Sequence, residues 1–145
     1  MLFRFWIRGT YIFQLATAII HSMSFFVEQK GANATEEQLL QLMTQYKMDM
    51  GQGFHRSMAE IVTSLSACLT LLCFMAGLML LVLYRSDVSK AVLKRILLIN
   101  SLVFAAGLVV MAIFAFLPPV VCFGLITFCS IMAWATIDGT KTSIT

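Results

Sequence analysis

The sequence predicts an all-α integral membrane protein: a four-transmembrane-helix bundle with a short amphipathic helix in the first extracytoplasmic loop. Three observations carry that expectation. Of the 145 residues, 60% are hydrophobic and 12% charged, and the mean hydropathy is +0.90. A soluble domain is about a quarter charged, so this chain lacks the polar side chains to cover itself against water. Residues 9–27, 61–84 and 96–137 contain no Asp, Glu, Lys or Arg, and a bilayer core about 30 Å thick is crossed by roughly 20 helical residues. The Lys and Arg residues between those stretches are unevenly distributed. Helix is the expected form because lipid offers no partner to a free backbone N–H or C=O.

The elements follow in order, within one membrane domain covering residues 1–145. The first span is placed at 9–27. Arg4 and Arg8 followed by Ala16-Thr17-Ala18 resemble a cleavable leader. However, the apolar core ahead of Ala16 is short and holds Gln14, and apolar residues continue past the cut, so an uncleaved helix is expected. The first loop, about 28–55, carries Leu39, Leu42, Met43, Tyr46 and Met50 at helical spacing. With a capping box at Thr35-Glu36-Glu37-Gln38, they predict an amphipathic helix over 36–48, ended or bent by Gly51 and Gly53, lying at the outer headgroup layer. Asn33-Ala34-Thr35 matches the glycosylation sequon, which carries no meaning in a bacterial protein. The second span is placed at 57–84. Ser86 or Asp87 is expected to cap the third, at 92–117, whose first turns hold Lys90, Lys94 and Arg95 at the anionic inner leaflet. The uncharged run 96–137 is twice one crossing, and Pro118-Pro119 divides it. Two prolines remove two backbone donors, which predicts a tight turn and a fourth span at 120–137.

Orientation follows from the positive-inside rule. With four spans, one side carries Arg4, Arg8, Arg85, Lys90, Lys94, Arg95 and Lys141. The other carries Lys30, Lys47 and Arg56, diluted by acids. Both termini are therefore expected in the cytoplasm, with Trp6, Tyr84 and Trp134 near the cytoplasmic helix ends. A bacterial inner membrane is the expected cell membrane.

Cys68, Cys73, Cys122 and Cys129 all lie in apolar runs without a C-x-x-C spacing, and read as small apolar filler. Gln14, Thr17, Thr63, Ser64, Ser66, Thr70, Asn100 and Ser101 read as hydrogen-bonding links between helices. Gly77, Ala105, Ala106, Gly107 and Ala112 allow close helix approach. One constellation remains as a candidate ligand or ion site: His21, His55, Arg56 and Glu60. Ionisable groups at membrane depth are costly and mark functional sites by default. Arg56 and Glu60 are four residues apart, so on a helix they share a face. His21 lies about six residues inside the first span, at a depth Glu60 can share. Structural packing is the competing reading, since His55 and Arg56 near the interface can snorkel to water. A haem held by His21 and His55 is disfavoured because their depths differ. A metal held by His21, His55 and Glu60 lacks a thiolate or second carboxylate. No cofactor, catalytic residue or nucleic-acid signature is read.

The order of His21 closing the first helix, Leu39-Leu40-Gln41-Leu42-Met43 before Tyr46, and then Gly53 or Gly51, Arg56, Ser57 and Glu60 opening the second resembles a family of small bacterial four-helix integral membrane proteins. In size and layout the chain is also loosely similar to DoxX-like proteins, although a glycine and lysine pattern associated with their first helix is absent. That resemblance implies an architecture and no activity. The expectation is a binding or interaction module rather than an enzyme, with membrane lipid and a protein partner or a second copy as partners. The alternative is a small-molecule, proton or ion carrier using the polar site between the first two spans.

Overall fold

The computed structural model describes residues 1–27 and 30–137. Its elements are α1 (Leu2–Met23), a 3-10 turn (Ser24–Phe26), α2 (Ala34–Gln45), β1 (Lys47–Asp49), β2 (His55–Ser57), α3 (Met58–Arg85), α4 (Lys90–Phe114) and α5 (Leu117–Thr136). Three of these helices, α3, α4 and α5, are long and apolar enough to cross a membrane. The first helix is 22 residues long, but Arg4, Arg8, Gln14 and His21 dilute it. It starts seven residues before the uncharged stretch, because arginine is a good helix former and nothing in residues 2–8 breaks the turn.

The chain forms two compact units, one of Met1–Thr17 with Cys73–Thr145 and one of Ala18–Leu72. In the first, Phe3, Ile7, Leu80, Leu93, Leu97, Ala133 and Ile137 make one core, with Trp6, Tyr11, Tyr84 and Trp134 packed at its edge. The last two helices form an antiparallel pair. Gly107 faces Phe123, and seven residues further along each helix Asn100 bonds Ser130. Gly107 is required there, since an added Cβ would sit 2.6 Å from the Phe123 ring. Gly77 similarly admits Leu15 and Gln14 of α1.

The polarity of this unit is inverted relative to a soluble bundle. Thr10, Gln14 and Ser130 are fully buried, and Ser101 and Thr127 nearly so. Leu2, Phe5, Ile12, Ile99, Leu102, Val103, Val110, Ile113 and Phe128 are exposed. Soluble helices turn the polar stripe outward; turning it inward suits a lipid surround.

Several local expectations are corrected. Pro118-Pro119 does not form the turn. The prolines sit in the first helical positions of α5, where the missing N–H groups are not needed, and the chain breaks at Ala115 and Phe116. The helix α4 is capped by Ser89, whose hydroxyl accepts from the Val92 N–H at 3.4 Å, not by Ser86 or Asp87. The capping box of α2 is displaced by two residues: Asn33 Oδ1 accepts from the Glu36 N–H at 2.9 Å, and Glu36 Oε2 accepts from the Ala32 N–H at 2.8 Å. Asn33 is a cap as good as threonine, and its acid partner falls three residues on. The helix therefore covers Ala34–Gln45 rather than 36–48.

Where the sequence reading had the tail of that helix, the unit Ala18–Leu72 instead has an antiparallel hairpin of β1 and β2, with Lys47 opposite Ser57, Met48 opposite Arg56 and Asp49 opposite His55. Gly51, Gln52 and Gly53 all take left-handed backbone angles, which glycine adopts without penalty. The Gly51 N–H donates to Asp49 Oδ1 at 2.8 Å. The loop closes with Met50 N–H donating to the Phe54 carbonyl.

Candidate functional site

Three of the four candidate residues cluster around the start of α3, and the hairpin sets their arrangement. Ser57 is the last residue of β2 and the cap of α3. Its N–H donates to Glu60 Oε2 at 2.8 Å, and its Oγ accepts from the Glu60 N–H at 3.2 Å. This is a reciprocal capping box. The strand register places Lys47 directly across from Ser57, which carries Lys47 Nζ to 3.9 Å from Glu60 Oε1. Both side chains are about half exposed, so the pair is a screened surface contact.

Arg56 stands differently from the sequence expectation. The helix starts at Met58, so Arg56 belongs to a strand and the four-residue helical spacing does not apply. Successive strand side chains point to opposite faces, which turns Arg56 away from the face of Ser57 and Lys47. Its Nη1 donates to the His55 carbonyl at 3.3 Å. Arg56 and Glu60 nonetheless line one open cleft of about 550 Å³ with Thr44, Ser57, Thr63 and Ser64.

His55 is exposed and faces Asp49 across the hairpin. His21 lies near the C-terminal end of α1. Its carbonyl accepts from Ser24 Oγ at 2.6 Å, and its ring meets Phe25 edge-on with centroids 6.0 Å apart. Its Nε2 is shielded from solvent and has no hydrogen-bond partner among the described residues. Among the described residues, no hydrogen bond, ion pair or ring contact joins His21 to Arg56 or Glu60. No group of three His, Cys, Asp or Glu side chains that could hold a metal occurs among the described residues.

A second cleft, of about 460 Å³, is lined by Leu40, Met43 and Thr44 of α2, Val62 and Thr63 of α3, and Phe25. It shares Thr44, Ala59 and Thr63 with the first, so the two adjoin. Together they offer a trough of mixed lining, with Glu37 and Gln41 beside the apolar side chains of the second cleft and Arg56 and Glu60 at the more polar end formed by the first, open enough to take a side chain or a small amphiphile.

The other unit holds a polar junction of which the sequence reading identified only part. Gln14 Nε2 donates to Asn100 Oδ1 at 2.8 Å, and Asn100 Nδ2 donates to Ser130 Oγ at 2.9 Å. Ser130 and Ser101 share a contact at 3.0 Å, and Ser101 donates to the Leu97 carbonyl at 2.7 Å. Gln14 Oε1 and Thr127 Oγ1 are buried without a partner. The signal for Ser130 and Thr127 was present: three residues apart, they share a face of the last helix.

Compared with known proteins, the chain matches no family model, no curated protein and no solved structure.

Proposed function

We propose that this chain is a multi-pass protein of the bacterial inner membrane, with α1 as a fourth crossing, and that it acts as a binding or interaction module through the unit Ala18–Leu72. The observation that carries the reading is the pair of adjoining clefts around Thr44, Ala59 and Thr63. Among the described residues of this unit only Ala18 and Ser57 are buried, while Leu39, Leu42, Tyr46, Met50 and Phe54 are exposed. A segment that folds into hairpin and helix yet builds an open concave surface is suited to receive something.

In this reading Arg56 and Glu60 orient the ligand or partner at the polar end. His55 stands at the rim, and His21 supplies an imidazole nitrogen that can bond a group entering near Phe25. α2 lies at the outer headgroup layer, and its apolar side chains meet lipid or a partner protein. Transport through Glu60 is the weaker reading, because that carboxylate already accepts the Ser57 N–H and pairs with Lys47.

Photocrosslinking amino acids at Thr44 and Thr63 in the native membrane test the proposal. A single protein or small molecule captured at both positions, and lost in Arg56→Ala, supports a binding module. Labelling of bulk lipid alone rejects it.

A further inference from the structure

Arg4 and Arg8 stand four residues apart in α1, so they leave the helix on one face with Cβ atoms about 5–6 Å apart. Both are exposed, and neither has a carboxylate or hydrogen-bond partner among the described residues. The described residues of their unit include one acid, Asp87, against Arg4, Arg8, Arg85, Lys90, Lys94 and Arg95. Among the described residues, no protein anion offsets the pair.

Beside the two guanidinium groups runs an open groove of about 640 Å³, lined by Arg4, Arg8, Phe5, Gly9, Ile12 and Phe13. It lies on one face of α1, with Met1 and Phe5 beside the arginines and a purely apolar stretch beyond them. The arginines lie toward the N-terminus, where the helix dipole also favours an anion. Ile12 and Phe13 follow about one turn later at 1.5 Å per residue. An occupant that satisfies this groove is an anion at one end and a hydrocarbon chain at the other. Free phosphate leaves the apolar half empty. A second copy packed groove to groove about a two-fold axis brings Arg4 and Arg8 against their own equivalents.

We infer that this groove binds one anionic phospholipid, its phosphate held between Arg4 and Arg8 and an acyl chain lying along Phe5, Ile12 and Phe13. The inference rests on the proposed crossing of the membrane by α1, which sets the arginines at headgroup level. Guanidinium pairs suit phosphate because they can bond two oxygens at once, which separates this site from the diffuse attraction of a basic surface.

Native mass spectrometry of the full chain, released from vesicles of phosphatidylglycerol and phosphatidylcholine in equal parts, provides the test. The expected result is one retained lipid, with the anionic species favoured at least about tenfold, as two charges near a membrane surface allow. Arg4→Gln/Arg8→Gln should abolish that preference, while Arg85→Gln/Arg95→Gln, which alters exposed basic residues away from the groove, should keep it. Equal loss in both pairs overturns the site in favour of diffuse attraction. A dimer that replaces the lipid overturns it in favour of a second copy. A reporter active only in the cytoplasm, fused ahead of residue 1 or inserted near residue 33, reports the crossing by α1 separately. If only the first is active but the protein shows no lipid preference, the groove alone is refuted; if both or neither are active, the crossing falls and the groove with it.

Discussion

At the scale of single residues, Glu60 shows how one acid is decided by where a helix begins. Because α3 starts at Met58, Ser57 and Glu60 are cap and third helical residue, and the carboxylate turns back to Ser57. Ser57→Ala should therefore cost about 1 kcal/mol, the usual loss for a helix cap, measured by denaturant unfolding in detergent; unchanged stability would show that the box does not hold the helix end. Double-mutant cycles extend the point. Lys47→Ala and Glu60→Ala should couple, while Arg56→Ala and Glu60→Ala should couple less. The reverse order would restore the helical pairing expected from spacing. The candidate residues were legible in the sequence as costly ionisable groups. Their pairing was not, because it depends on a three-residue strand whose register brings in Lys47 from ten residues upstream. The buried junction offers a parallel case. Asn100 bonds both Gln14 and Ser130, and interhelical bonds in membranes contribute about 0.6 kcal/mol each. Asn100→Ala should thus lower stability by about 1–2 kcal/mol in the same assay, and an unaltered midpoint would remove the junction from the stabilising contacts.

At the scale of elements, apolar length located the three most hydrophobic helices to within a few residues, because a run of leucine, valine and isoleucine leaves lipid-facing helix as its only satisfied form. The ends were harder to read. Several nearby residues can each serve as a cap, and only the path of the chain selects among Thr35 and Asn33, or Ser86, Asp87 and Ser89. Asn33→Ala should cost α2 about 1 kcal/mol and reduce helicity there, followed by amide exchange across residues 36–45; protection as in wild type would assign the cap elsewhere. The hairpin was unreadable, since strands of three residues give no periodicity and the glycines around Gln52 signal only a turn. Packing between elements is most exacting where α4 meets α5. Gly107→Ala puts a methyl against the Phe123 ring, an overpacking expected to cost about 1–3 kcal/mol. Phe123→Leu in the same chain should recover part of that loss in thermal melts, and no recovery would place the strain elsewhere.

At the scale of the whole molecule, hydropathy separates α1 from the other long helices for a reason visible in its contacts. Beside the exposed Arg4 and Arg8, Thr10 and Gln14 lower its apolar character, yet these two are fully buried, with Thr10 Oγ1 donating to the Trp6 carbonyl and Gln14 to Asn100. A scale that treats every residue as facing lipid penalises side chains that never do. With α1 counted as a crossing, the Lys and Arg asymmetry predicts both termini in the cytoplasm. A fluorescent reporter active only in the cytoplasm should light when fused at residue 145 and stay dark when inserted near residue 33; the opposite pattern would invert the topology.

The bond between Gln14 and Asn100 joins residues 86 apart in sequence, and this bears on biogenesis. When the ribosome has made α1, the partner of its amide does not yet exist. If α1 crosses the membrane as proposed, it must wait there with an unpaired polar side chain until α4 is made. The first helix to be synthesised is thus completed only by the fourth, and a nascent chain released before α4 leaves the ribosome carries a glutamine amide without its partner.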